Sequence, residues 1–220
     1  MANVLVVLSG CGVQDGSEIH EAVSTLIHLD RNNCSITMAA PDVPQRKVHN
    51  HAAGEDVSSE TRNVLAESAR IARGDIKSLT EVKGSDFDAI IFPGGFGAAL
   101  NLCDFALKGA DCEVNPDVRR VLVEARQAEK VIGLICIAPA LGAAVLGADY
   151  HPSVTIGNDA GTAEQINKTG AKHVDTEPTG ICIDESNKVV STGAYMCNTR
   201  PAPVYEGIGK LVDQVLKMVG

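Results

Sequence analysis

Of the seven cysteines in this 220-residue chain, Cys136 has the neighbours best suited to make a thiol into a nucleophile. It ends the apolar part of V-I-G-L-I-C-I-A-P-A, from Val131 to Ala140, and Pro139 then leads into an alanine-rich segment. A buried strand that turns sharply into a helix reads this way, with the thiol presented at the turn. Such a cysteine needs access, a thiolate, and donors for the negative charge that forms on the carbonyl it attacks. The turn supplies access, and the helix N-terminus at Ile137 and Ala138 favours the anion. Acidity alone gains little. Lowering a thiol pKa from ~8.5 to ~6 raises the thiolate fraction at pH 7 about thirtyfold, while nucleophilicity falls roughly tenfold. Oxyanion donors, worth ~10²–10³ each, have to contribute more.

Pro93-Gly94-Gly95-Phe96-Gly97 follows another apolar strand, and its glycines allow backbone N–H groups to come close to a ligand. Gly94 and Gly95 with Ile137 are therefore the expected oxyanion and substrate-binding positions. A proton carrier is also needed. Glu18 and Glu21 lie one turn apart at the start of the first helix, and either could reach Cys136. Stabilising the helix N-terminus would account for one of them without catalysis. Cys11 sits in a third strand-end loop and is a candidate resolving thiol, whereas the other five cysteines read as apolar packing or incidental surface. His49 and His51 have no third ligand at useful spacing, so no metal is expected.

The elements that must position these groups alternate. Asn3–Leu8, Cys34–Ala40, Asp88–Phe92 and Val131–Ile135 read as strands buried on both faces. Ser17 is expected to cap a first helix whose apolar face is Ile19, Ala22, Val23, Leu26 and Ile27. Further helices are expected over residues 60–73, 116–128, 138–146, 161–169 and 204–219. A long loop is expected over 43–59, a short strand over 154–156, and an antiparallel hairpin from the strands 181–184 and 188–192. The pattern predicts one α/β domain over 1–220, a doubly wound, mostly parallel sheet with helices on both faces, whose ligands sit at the carboxyl ends of the strands. Gly10, Gly12 and Gly16 miss the dinucleotide spacing, so no nucleotide cofactor is expected.

Composition narrows the partners. The net charge of −9, without a Lys/Arg cluster, argues against nucleic acid and anionic membrane surfaces. An odd cysteine count without C-x-x-C, and no signal-type leader, predict reduced thiols in a cytoplasmic protein, or a mitochondrial one if a presequence has been removed.

The runs V-L-S-G-C-G-V-Q-D-G-S-E-I-H-E-A, T-R-N-V-L-A-E-S-A-R-I-A-R-G, F-P-G-G-F-G-A-A-L-N-L, C-I-A-P-A and G-T-A-E resemble the bacterial glyoxalase family described as enhancing lycopene biosynthesis, with its mitochondrial eukaryotic relatives. That branch lies in the class I glutamine amidotransferase-like superfamily. The resemblance implies a flavodoxin-like fold, Cys136 as the elbow nucleophile, Glu21 rather than Glu18 as its carboxylate, and Gly95 and Ile137 as oxyanion donors. It also implies a homodimer. The family's activity implies glutathione-independent, cofactor-free conversion of small dicarbonyls such as glyoxal to hydroxy acids. One departure is plain: where amidotransferases carry a histidine after the elbow helix, V-T-I-G places Gly157, and His151 precedes the strand. Two alternatives follow from it and from the thiols, a non-catalytic redox sensor or scaffold, and an amidotransferase-like partner subunit lacking the triad histidine.

Overall fold

A computed structural model describes residues Met1–Gly220. Seven strands form the central sheet: β1 Asn3–Val7, β2 Ser35–Ala40, β3 Lys77–Ser78, β4 Ala89–Phe92, β5 Val131–Ile135, β6 Cys182–Asp184 and β7 Val189–Thr192. Their spatial order is β6-β7-β5-β4-β1-β2-β3, and every neighbouring pair is parallel except the edge pair β6–β7. The hairpin expected at the end of the chain is this antiparallel edge. β1, β4 and β5 are central and read as continuous apolar runs because helices cover both faces.

Alternation along the strands builds two cores. Leu5, Val7, Ile90, Phe92, Ile132 and Leu134 face one side with α3 Phe96–Leu100, α4 Phe105–Lys108, α5 Pro116–Gln127, α6 Ala138–Tyr150 and α7 Ala160–Lys168. Val4, Val6, Leu8, Ile91 and Ile135 face the other, with α1 Ile19–Arg31, α2 Val64–Ile71 and α8 Pro201–Val219. Cys136 belongs to the second face, so α1 is the helix that can reach it.

The first helix departs from expectation. Glu18, not Ser17, caps α1, because the Ser17 hydroxyl is taken by the Ser9 N–H at 2.9 Å. The helix is also rotated by roughly a third of a turn from the face its apolar pattern suggests. Ile19, Val23 and Ile27 are exposed by 43%, 40% and 41%, and Glu21, Ala22, Ser24, Thr25 and Leu29 are buried instead. The small buried residues allow close packing on α8, where a Cβ at Gly209 would lie 2.6 Å from the His28 ring. Smaller differences concern ends. Asn63 starts α2 by accepting from the Ala66 N–H, α6 continues to Tyr150, and the 43–59 loop holds a two-residue ladder between His49–Asn50 and Glu55–Asp56.

Candidate active site

Strand register brings the site together. Phe92 pairs with Leu134 and Thr192 with Ile135, so the segments after β4, β5 and β7 leave the sheet side by side. Gly94 and Cys136 each lie two residues beyond the first of these pairs. A Cβ at Gly94 would lie 2.4 Å from the Cys136 Cβ and 2.7 Å from Glu21 Oε2, so only glycine fits there. Cys136 itself is held at φ +63°, a strained conformation costing of order 1–3 kcal/mol, and its N–H is fixed to the Thr192 carbonyl at 2.8 Å. The elbow expected from the sequence is thus a left-handed turn at the thiol.

Glu21 is the carboxyl that meets the thiol. It is completely buried beside Cys136, the two side chains meeting at the space a Cβ on Gly94 would occupy. Its Oε2 accepts from the Gly94 N–H at 3.0 Å and its Oε1 from the Tyr195 N–H at 3.4 Å. Glu18 has the other role: its Oε2 accepts from the Glu21 N–H at 2.8 Å as the helix cap, and its own N–H donates to the Gly94 carbonyl at 2.9 Å. Gly94 therefore differs from the expected substrate donor, because its N–H is occupied by Glu21. The backbone N–H groups of Gly95 and Ile137 favour the Cys136 thiolate.

The electrostatics reverse the expectation for an acidic thiol. Burial, and secondarily the charge of Glu18, push Glu21 up to about 8. Burial, then the Glu21 charge, push the Cys136 thiol well above its usual value, and the Gly95 and Ile137 amides oppose this only in part. The pair is therefore largely protonated at neutral pH, with one carboxyl proton available at the thiol.

Cys136 lies at the base of a cavity of about 590 Å³, lined also by Gly95, Ile137, Val13, Phe96, Ala99, Phe105, Leu107, Tyr195 and Met196. Asp159, Thr162 and Gln165 are polar groups in its wall, and no lysine, arginine or histidine lines it. Three of the large apolar side chains most exposed on the protein, Val13, Phe96 and Leu107, gather here.

The structure does not bring Cys11 to this cavity. The loop turns at Gly10 (φ +113°) and Gly12 (φ +135°), leaving Cys11 half-buried among Asp15, Glu67 and Arg70. Nor does an imidazole fill the amidotransferase position. A Cβ at Gly157 would lie 2.5 Å from Cys197 Sγ, and His151 caps the far end of α6, with Nδ1 2.9 Å from the Gly170 carbonyl. Two residues were not visible as site residues in the sequence. Tyr195 follows β7, secures Glu21 through its backbone and lines the cavity; its hydroxyl and His20 Nδ1 hydrogen-bond at 2.7 Å. Only the Gly193 that ends β7 hinted at a third strand-end loop.

No protein-family model matches the chain. Two mitochondrial proteins align with all of it: the ES1 protein homolog of Rattus norvegicus, 50% identical with 85% of its length covered, and glutamine amidotransferase-like class 1 domain-containing protein 3 of Homo sapiens, 50% identical with 84% covered. Their names agree with the mitochondrial alternative attached to a removed presequence. The crystal structure of an isoprenoid biosynthesis protein with an amidotransferase-like domain from Ehrlichia chaffeensis superposes with a TM-score of 0.94, at 36% identity and over 100% of both chains. Drosophila melanogaster DJ-1beta shares the fold, with a TM-score of 0.59 at 19% identity over 99% of this chain and 93% of its own. The chain belongs to the ES1 family of glutamine amidotransferase-like class 1 domain proteins.

Proposed function

We propose that this protein is a glutathione-independent, cofactor-free glyoxalase-like lyase that converts α-dicarbonyls to α-hydroxy acids. The observation that carries this reading is the fully buried Glu21 carboxyl packed behind Cys136, whose thiol faces a cavity without a lining histidine. In its ionised form Glu21 takes the thiol proton as the sulphur adds to the aldehyde, then passes that proton to the new oxygen, giving a hemithioacetal. The N–H groups of Gly95 and Ile137, which favour negative charge at the sulphur, stabilise the oxyanion bound to the adjacent carbon. Glu21 next removes the proton from that carbon and returns it to the neighbouring carbonyl carbon, while the hydroxyl proton of the hemithioacetal passes to the neighbouring oxygen. The product is a thioester, which water hydrolyses to the hydroxy acid and free Cys136.

The cavity favours uncharged substrates. Its apolar wall and lack of lysine or arginine suit glyoxal and, better, a dicarbonyl with an apolar substituent that fills about 590 Å³. The rival roles lose support here. A thiol pushed upward by burial is a poor peroxide sensor, and glutamine hydrolysis would lack an imidazole to protonate departing ammonia. The test is proton NMR of the purified protein with glyoxal, methylglyoxal or phenylglyoxal, without glutathione. Appearance of the hydroxy acid, fastest from phenylglyoxal, is expected. No product above the buffer rate from any of the three would overturn the reading.

A further inference from the structure

A second pair of cysteines, outside the Cys136 site, flanks the loop that forms one wall of the cavity. Residues 102–104 run antiparallel to 113–115: Cys103 bridges to Val114, the Asp104 N–H donates to the Glu113 carbonyl at 3.1 Å, and the Asn115 N–H donates to the Leu102 carbonyl at 2.9 Å. This ladder closes a loop comprising α4 and the 3₁₀ turn Gly109–Asp111, and Phe105, Ala106, Leu107 and Gly109 from that loop line the cavity. Cys112 follows the turn two residues from the partner of Cys103, on the same face of the ladder, where diagonal side chains meet. Both side chains pack against the same apolar core, and their titrations influence one another. Cys103 is buried with Sγ 3.3 Å from the Ala98 carbonyl, whereas Cys112 is only half-buried and open to a small oxidant.

We propose that Cys103 and Cys112 are a reversible redox pair that forms a disulfide with a hydroperoxide and thereby pins the α4 wall of the cavity. The roles follow from exposure and acidity. The neighbouring Cys103 lowers the pKa of the Cys112 thiol, which makes the accessible sulphur the nucleophile. The Cys112 thiolate attacks one peroxide oxygen, the O–O bond breaks, and the leaving oxygen takes up the proton the thiol released, departing as water or an alcohol and leaving a sulfenic acid. The Cys103 sulphur then attacks the Cys112 sulphur, the S–O bond breaks, and hydroxide leaves with the Cys103 proton as water. The two sulphurs together lose two electrons, which the peroxide gains, and a dithiol reductant restores both thiols. Forming the ~2.05 Å bond of a disulfide asks Cys112, at the end of a short turn, to move toward the buried Cys103.

The test uses the full chain, treated with stepwise hydrogen peroxide, blocked with N-ethylmaleimide, digested and analysed by mass spectrometry. The expected first product is a Cys103–Cys112 cross-linked peptide that dithiothreitol reverses and that Cys103→Ser and Cys112→Ser variants lack. A different disulfide forming first, or Cys112 passing to sulfinic acid without the cross-link, would overturn the proposal. Iodoacetamide labelling of Cys136 reads the link to the cavity. Oxidation should change its rate at least threefold in the wild type and leave it unchanged in Cys112→Ser. Equal wild-type rates before and after cross-linking would refute the pinning of the wall.

Discussion

Replacing Glu21 by glutamine should stabilise the protein at neutral pH while removing turnover. Burial chiefly pushes the native carboxyl up to about 8, against 4.5 for an ordinary glutamate. Below pH 4.5 native and unfolded chains both hold the proton and nothing is lost. As pH rises from 4.5 to about 8, the unfolded chain releases a proton that the native state keeps, so stability falls and the loss is complete above the native pKa. At ~1.36 kcal/mol per pKa unit, about 2 kcal/mol is gone by pH 6, about 3 by pH 7 and about 4 by pH 8. Glutamine has no such proton. It keeps an oxygen for the Gly94 N–H but turns an amide toward the Tyr195 N–H, a contact already long at 3.4 Å, for a loss of ~1 kcal/mol. The variant should therefore match the wild type near pH 5, exceed it by about 2 kcal/mol at pH 7 and by about 3 kcal/mol at pH 8. The chain has no tryptophan, so urea unfolding is best followed by far-UV circular dichroism at each pH. A gap that does not change between pH 5 and 8, or a variant less stable than wild type at pH 8, would refute the assignment of Glu21 as a buried, proton-bearing carboxyl.

Three further outcomes follow. Because only the ionised Glu21 serves as base, kcat/KM should rise about tenfold per pH unit below its native pKa of about 8 and level off above it; a profile flat from pH 6 to 9 would contradict this. Gly94→Ala places a methyl 2.4 Å from the Cys136 Cβ and 2.9 Å from the Ile135 carbonyl, and should cost ~3 kcal/mol in urea unfolding and abolish turnover. Asn101 is buried, donates to the Ser9 and Asp15 carbonyls at 2.9 Å each and accepts from the Arg46 N–H at 3.0 Å, so Asn101→Ala should cost ~3 kcal/mol. Calorimetry should then show a Tm lower by roughly 6–12 °C.

The sheet was legible because β1, β4 and β5 are covered on both faces and must be apolar throughout, a pattern that few loops or helices imitate. α1 was misread because Ile19, Val23 and Ile27 recur at helical spacing on the side that faces outward. Its true inward side carries Glu21, Ser24 and Thr25, whose polarity is offset by partners distant in sequence, such as Gly94 and Tyr195. Cys136 and its glycine-rich neighbours were legible because a strand-to-turn junction is local. Tyr195 and His20 were not, since they meet across 175 positions and neither sits in a motif. The thiol's acidity was misjudged for the same reason: the helix terminus can be read from the sequence, whereas complete burial beside a carboxyl cannot.

Steady-state conversion of phenylglyoxal to mandelate by the wild type and by Cys136→Ala, with matched circular dichroism, tests the central claim most directly. A loss in kcat/KM of at least ~10³-fold in the variant is predicted, because no other nucleophile replaces the thiol. A Cys136→Ala protein within tenfold of the wild type would contradict catalysis by the Cys136–Glu21 pair.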